Sequence, residues 1–388
     1  MIYFLIFISM LFFTYFYRNN MEKSNRCFII FFAILWILLS FRYGQGTDYF
    51  AYKQLMLNVD SVSDVIFNSN QIHSEVGFRF LYWVFGNNFE LFIFVISSFE
   101  MIMLYIFINR YSVNKLFSLT LFFPIYYLVY YFSTIRQGFA ISCFIGLLFP
   151  LLMKKDYKKY YMGILITSLF HSSSLVLILI PFISKLNLRK MIVLLFFSFA
   201  FGGILCLFFN FFPHAIFEKV AYYWQGKISV LSLIHRIVLF LIIFMYLLIN
   251  KEALNELKEK NKKYFEQEMK ILLIGLMCYF VMMGSPLIAS RLMGYFEVFE
   301  IIIFPKLLNL MDVDLGKFKR KICILLEVSL VLIISFNCFK TIKTNLSQGN
   351  YKDNVNVLTY PYVSIFNKDK LWDYKNIDIY SKNEIVTE

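Results

Sequence analysis

Charge is what this sequence most lacks. Only 16% of its 388 residues are charged, while 60% are hydrophobic. Soluble domains carry about 25% charged and about 45–50% apolar residues, so a soluble globular chain is excluded. Cysteine is sparse: the six thiols, at 27, 143, 206, 278, 323 and 338, lie mostly inside apolar runs and never in a CxxC spacing. That argues against a disulfide frame or a thiolate metal site. The four histidines, at 73, 171, 214 and 235, form no HExxH or paired-ligand spacing, so no protein metal cage is expected. The "GQG" at 44–46 lacks the third glycine of a dinucleotide fingerprint and follows an apolar run instead of a core strand. No repeat of fixed period and no low-complexity linker is present. The opening "MIYFLIFISMLFFTYFYRNN" has no basic n-region and no small-residue cleavage site, and reads as a retained helix. The net charge of +13 does not point to nucleic acid, because the basic residues cluster between apolar spans.

What is present is long hydrocarbon. About 20 apolar residues cross a bilayer as a helix, and such stretches recur over 2–17, 27–41, 89–108, 115–133, 137–153, 191–212, 233–250, 270–288, 292–310 and 321–339. The region 159–183 is interrupted by "HSSS" and admits either one span or two short arms meeting at His171. The expected fold is an all-α polytopic membrane protein of about 10–12 transmembrane or re-entrant helices. Residues 1–341 form one membrane domain in this reading and 342–388 a tail.

Lysine and arginine counting orients it. The loops 18–26, 109–115, 154–159, 184–190, 251–270 and 306–321 are all basic, and 251–270 alone holds six lysines. Basic loops stay cytoplasmic. They share one side only if 159–183 enters and returns as a broken or re-entrant pair, with non-helical backbone at its tip buried in protein or lining a wet cavity. Both termini, the loop 42–88 and the tail then lie outside, and the long outer segments are expected to carry short interfacial helices.

That topology collects the costly polar residues on the outer face: Arg42, Asp48 and Tyr52; His73, Glu75 and Arg79; Arg136 and Gln137; His171; His235 and Arg236; Arg291, Tyr295 and Glu297. Ionisable groups in or beside spans mark functional sites by default. Each has a plainer reading. Arg42, Arg79 and Arg236 can snorkel to headgroups, Glu297 can pair with an arginine, Asp48 can cap a turn, and His171 can sit at a helix break.

Four stretches in order, "FRYGQGTDYFAY", "EVGFRFLYWVF", "STIRQGFAISCFIGLLFPLLMKKDYKKYY" with "LFHSSSLVLIL", and "SRLMGYFEVFEIIIFPKL", make the chain resemble the EpsG-like family of bacterial polysaccharide polymerases, akin in role to Wzy polymerases of capsule, O-antigen and exopolysaccharide. The likeness covers most of 27–310, and "YPYVSIF" (360–366) looks like an element near the family's end; Gln45 stands where a small apolar residue is expected. The resemblance admits a glycosyltransferase type-C-like architecture. It implies a multi-pass protein of the bacterial cytoplasmic membrane that joins undecaprenyl-pyrophosphate-linked oligosaccharide repeat units on the outer face, without metal or other cofactor. A flippase and a chain-length regulator are the implied partners, beside membrane lipid. On this reading Asp48, His171, Glu75, Arg136 and Arg291 form the catalytic set, and Arg42, Tyr49, Tyr52, Gln137, Arg236 and Tyr295 bind substrate. Arg136, Arg291 and Arg42 would meet the pyrophosphate. Asp48 is the first choice of base, with His171 and Glu75 as rivals, and Tyr49, Tyr52 and Tyr295 would stack on sugars. A flippase, a membrane O-acyltransferase or a ligase acting on the same glycans are the competing functions.

Overall fold

In the computed structural model of the protein, residues 2–67, 74–86, 88–208, 224, 228–249, 259–309 and 317–376 are described; His73, His214 and most of the 213–232 connection lie outside the described residues. The chain divides into two compact units. One comprises 1–150, 165–172 and 332–388, the other 151–164 and 173–331.

The first unit opens with α1 (Ile2–Phe16) and α2 (Met21–Ser40), followed by three short helices, α3 (Tyr49–Leu57), α4 (Val62–Ile66) and α5 (Val76–Phe85). Then come α6 (Phe89–Tyr111), α7 (Lys115–Phe122) passing into π-helical turns over Phe123–Tyr131, and α8 (Ile135–Met153) with π turns at Phe144–Leu148. Local chemistry sets the starts. Asn20, Asn88 and Asn114 each accept a backbone N–H of the first helical turn (Lys23, Leu91, Phe117), so α2, α6 and α7 begin at asparagine caps in polar gaps. Ser61 and Asp64 close a capping box on α4. The loop 42–88 thus carries short helices, and α4 and α5 turn Ile66, Val76, Phe80 and Val84 outward. Between α3, α5 and α6 lies an aromatic core including Tyr49, Phe50, Phe78, Tyr82, Phe89 and Phe92, closed by Val363 and Leu371 from the tail.

The interrupted region runs through both units, with 151–164 and the residues from 173 in the second and 165–172 in the first. A helix over Tyr157–Ser168 stops, and a 3-10 segment, Ser172–Leu179, follows. The Tyr160 hydroxyl donates to the Leu177 carbonyl at 2.9 Å, and the Tyr161 and Phe182 rings lie 6.3 Å apart. In one continuous helix residues 160 and 177 would stand about 25 Å apart, so the second arm folds back along the first. The second unit continues with α9 (Leu188–Phe208), α10 (Val230–Ile249) and α11 (Glu259–Val281). Gly202 lets α9 approach the α11 backbone, since a Cβ there would fall 1.9 Å from the Phe280 carbonyl oxygen.

Where the pattern reads one span over 292–310, the structure holds two half-helices, α12 (Pro286–Glu297) and α13 (Glu300–Asn309). Proline suits the first position of a helix, which moves the start upstream to Ser285–Pro286. The last long helix, α14, covers Lys317–Gln348. Among the described residues six helices are long and apolar enough to cross a membrane. With no strand among those residues, the fold is an all-α polytopic membrane protein.

Candidate active site

The stretch from Arg42 to Asp48 leaves α2 as extended chain held on two sides. The Tyr43 N–H donates to the Val363 carbonyl and the Ile365 N–H to the Phe41 carbonyl, at 2.9 and 3.0 Å. Gln45 accepts from the Tyr3 hydroxyl and donates to the Pro361 carbonyl, which is why this unusual position holds a long amide. Gly46 turns with φ +94°, and a Cβ there would lie 2.3 Å from the Phe132 carbonyl oxygen; only glycine takes this backbone at that distance. The Thr47 N–H then reaches the Ser133 hydroxyl at 3.1 Å, which fixes Asp48 as the residue preceding α3.

Three expected residues meet beside it. Glu75 precedes α5, and one of its oxygens accepts from Arg136 Nη1 at 2.6 Å. The other lies 3.1 Å from His171 Nδ1 and 3.3 Å from the Ser172 N–H. The pieces are pinned by backbone: the Gly77 N–H donates to the Leu169 carbonyl at 2.8 Å, and Phe170 packs on Phe78 and Phe139. The Arg136 guanidinium stands 5.6 Å from the Tyr52 ring centre, and Tyr52 lies one turn after Asp48 on α3. Asp48, Tyr52, Glu75, Arg136 and His171 therefore form one group within the first unit.

Its electrostatics assign roles. Burial pushes the Glu75 carboxyl up, but the His171 hydrogen bond and the Arg136 charge outweigh burial and hold it down at about 2. A carboxylate so acidic is a poor base and a firm anchor. Because it can only accept, the neutral His171 carries its proton on Nδ1, which leaves Nε2 as the acceptor. That Nε2 is buried and makes no hydrogen bond. Burial also raises Tyr52, with the Arg136 charge opposing, so Tyr52 stays a neutral phenol.

The remaining expected residues sit differently. Arg42 is 1% exposed and its guanidinium donates to the Leu39 and Tyr131 carbonyls and to the Ser97 hydroxyl. Tyr49 lies in the aromatic core, edge-on to Phe89, and Gln137 is buried on α8. Arg291, Tyr295 and Arg236 belong to the second unit. There the Tyr295 hydroxyl meets the Ser173 hydroxyl at 3.1 Å, and Arg236 pairs with Glu297 at 3.4 Å.

Three residues carry more than the sequence suggested. Arg79, one turn past Glu75 on α5, is 2% exposed, and its Nε and Nη1 have no hydrogen-bond partner. Snorkelling does not describe a buried guanidinium. Tyr82, one turn further, interacts electrostatically with Tyr52, Arg136 and Glu75; no local pattern singles out one tyrosine among 27. Glu100 is fully buried in the middle of α6 with neither carboxyl oxygen hydrogen-bonded. A carboxyl in the apolar middle of a 23-residue helix is itself a legible signal.

A histidine oriented by a carboxylate is able to exchange a proton, and the same carboxylate holds Arg136, whose guanidinium is able to meet an anion. No curated protein and no solved structure matches the chain. The sequence profile of the EpsG family matches residues 25–363, a stretch that holds every residue of this group and reaches into the tail segment pinned to Phe41–Gln45 as far as Val363. The chain belongs to the EpsG family and is a multi-pass membrane protein of polysaccharide biosynthesis.

Proposed function

We propose that the protein is a glycosyltransferase that joins lipid-diphosphate-linked oligosaccharide repeat units on the outer face of the bacterial cytoplasmic membrane. One observation carries the reading: Glu75 holds Arg136 on one oxygen and His171 on the other, with His171 Nε2 buried and unoccupied. Polymerising such units needs a base for an attacking sugar hydroxyl and fixed positive charge for a departing diphosphate. His171 Nε2 takes the hydroxyl proton as oxygen bonds to the anomeric carbon, and Glu75 steadies the imidazolium that forms. The anomeric carbon–oxygen bond breaks with its electron pair going to the diphosphate. Arg136 and Arg79 meet that charge in a site shielded from water, where a guanidinium acts strongly. Asp48, and Tyr52 buried beside Arg136, orient the acceptor sugar. Arg42 supports the site from behind by fixing the exit from α2. The outer placement rests on the basic loops, which share the cytoplasmic side when residues 157–183 form a hairpin with His171 at its outer tip.

The test is polymerisation by purified protein of a lipid-diphosphate-linked repeat unit from its own host, resolved on a gel. A ladder spaced by one repeat is expected. His171→Gln should lower the rate by about 10²–10⁴-fold, the usual loss on removing a general base, with the fold unchanged by circular dichroism. Folded protein that leaves the single unit untouched would sink the polymerase reading, and a full rate in His171→Gln would return the base to Asp48.

A further inference from the structure

The second unit holds a groove that the proposed reaction does not use. It lies between α9, α10 and α11 and encloses a cavity of about 240 Å³. Ile192 bounds it from α9, Phe240, Phe244 and Leu247 from α10, and Phe265 and Met269 from α11. Each helix is held elsewhere. Further along, α9 closes on the α11 backbone where Gly202 meets Phe280. α10 packs on α13, and its Tyr246 hydroxyl donates to the Cys323 carbonyl of α14 at 3.4 Å. On α11 the lining runs from Lys262 to Leu273. That is about 17 Å at about 1.5 Å per residue, close to the hydrocarbon depth of one leaflet, which is half of ~30 Å.

The groove has one charged end. Lys262 lines it there, next to exposed Lys263, and Leu188 of the lining is followed by exposed Arg189 and Lys190. The chain entering and leaving this end, 184–190 and 250–270, carries nine basic and five acidic residues. The end is therefore positive whichever of these groups pair with one another. One of the acids, Glu268, is also held by Lys306 of α13 at 2.6 Å. Glu266 shares the wall one turn past Lys262, and the rest of the lining is apolar. Water fills such a space poorly, because a buried water needs about 2–4 polar partners. Phe244 is itself exposed, and Val193, Phe196, Leu241 and Leu248 alongside it on α9 and α10 are exposed too, so the groove opens onto hydrocarbon. The occupant that fits is an amphiphile with a chain one leaflet long and an anionic head.

We propose that this groove seats an acyl chain of an anionic glycerophospholipid, with the phosphate held at the basic end by Lys262, Lys263, Arg189 and Lys190. Basic residues at a membrane surface favour anionic over zwitterionic lipid, and the apolar walls fix one chain in place. In the orientation proposed above the lipid belongs to the cytoplasmic leaflet, and its binding does not depend on the polymerase reading. The probe is dioleoylphosphatidylglycerol added to the full-length protein in detergent, with dioleoylphosphatidylcholine as the zwitterionic lipid of the same chains. Bound lipid is counted by native mass spectrometry.

One phosphatidylglycerol per chain is expected to be retained at concentrations where phosphatidylcholine is not. Lys262→Gln and Lys263→Gln should each weaken it about fivefold, the effect of one basic residue beside an anionic lipid, while Glu266→Gln should tighten it. Ile192→Trp, which fills the groove from α9, should lose the retained lipid although every charge remains. Equal retention of the two lipids overturns the proposal, and so does full retention in Ile192→Trp at an unchanged melting temperature. Displacement of the phospholipid by an equimolar polyprenyl phosphate overturns it in favour of a carrier-lipid site. Where Ile192→Trp unfolds the chain, the headgroup comparison and the glutamine variants decide the matter without it.

Discussion

At the residue scale the site turns on what each charged side chain faces. Arg42, Arg79, Arg136 and Arg236 look alike in the sequence, each beside apolar residues, yet each has a different task. Arg42 is enclosed by carbonyls and a hydroxyl, Arg136 and Arg236 pair with glutamates, and Arg79 is buried with two nitrogens unsatisfied. Local sequence cannot separate them, because Arg136 and Arg236 each find their glutamate 61 positions away and Arg42 reaches groups as far as 89 positions away. Glu75 gives a prediction with a sign. Its carboxyl is lowered from 4.5 to about 2 in the folded chain, so its contribution to stability is present above about pH 4.5 and is lost as pH falls through about 2. The shift corresponds to roughly 3 kcal/mol at neutral pH. Glu75→Gln should therefore flatten the acid limb of a melting-temperature profile and also slow polymerisation, since His171 loses the partner that fixes its tautomer. An unchanged acid limb would show that the Glu75 pairings do not form in solution.

At the element scale, spans were legible wherever hydrocarbon was continuous, whereas the asparagine caps that begin α2, α6 and α7 emerge only from the structure, and α2 starts six residues before the apolar run at 27. Interruptions were harder. The "HSSS" break announces itself through its polarity, and the Tyr160–Leu177 hydrogen bond follows from the chain turning back there. The break at Val298–Phe299 lies in an apolar run and has no such signal; the charged residues flanking it are the only local mark. Hairpin topology makes a direct prediction. Single cysteines replacing Lys155 and Lys185, in a background without the native cysteines, should both resist a membrane-impermeant maleimide added to intact cells, while one replacing Ser172 should react. Opposite labelling of the two lysine positions would mean a continuous span.

At the scale of the whole molecule, the tail belongs to the site. Residues 361–365 hydrogen-bond along Phe41–Gln45, Lys368 reaches Glu90 at 2.6 Å, and Leu371 is fully buried in the aromatic core with Trp372 stacked on Phe50. Leu371→Ala should cost about 2–5 kcal/mol, as large-to-small changes in packed cores do, read as a lowered melting temperature. Truncation after Gln348 should abolish polymerisation by releasing the Arg42–Asp48 segment. Full activity in the truncated protein would make the tail a passive cover. Composition and periodicity by themselves determined the helical membrane fold and the position of most apolar helices, because hydrocarbon length is a property a bilayer reads locally, while helix ends shifted, with α2, α11 and α14 starting upstream of their apolar runs. The order of the polar signatures likewise determined the family. Only the tertiary structure decided which polar residues meet: that Glu75 holds both His171 and Arg136, that Arg42 is enclosed, that the tail clamps the exit from α2, and that Arg236 pairs with Glu297. Those outcomes depend on how distant helices pack, and a buried charge takes its character from neighbours that its own stretch of sequence does not contain.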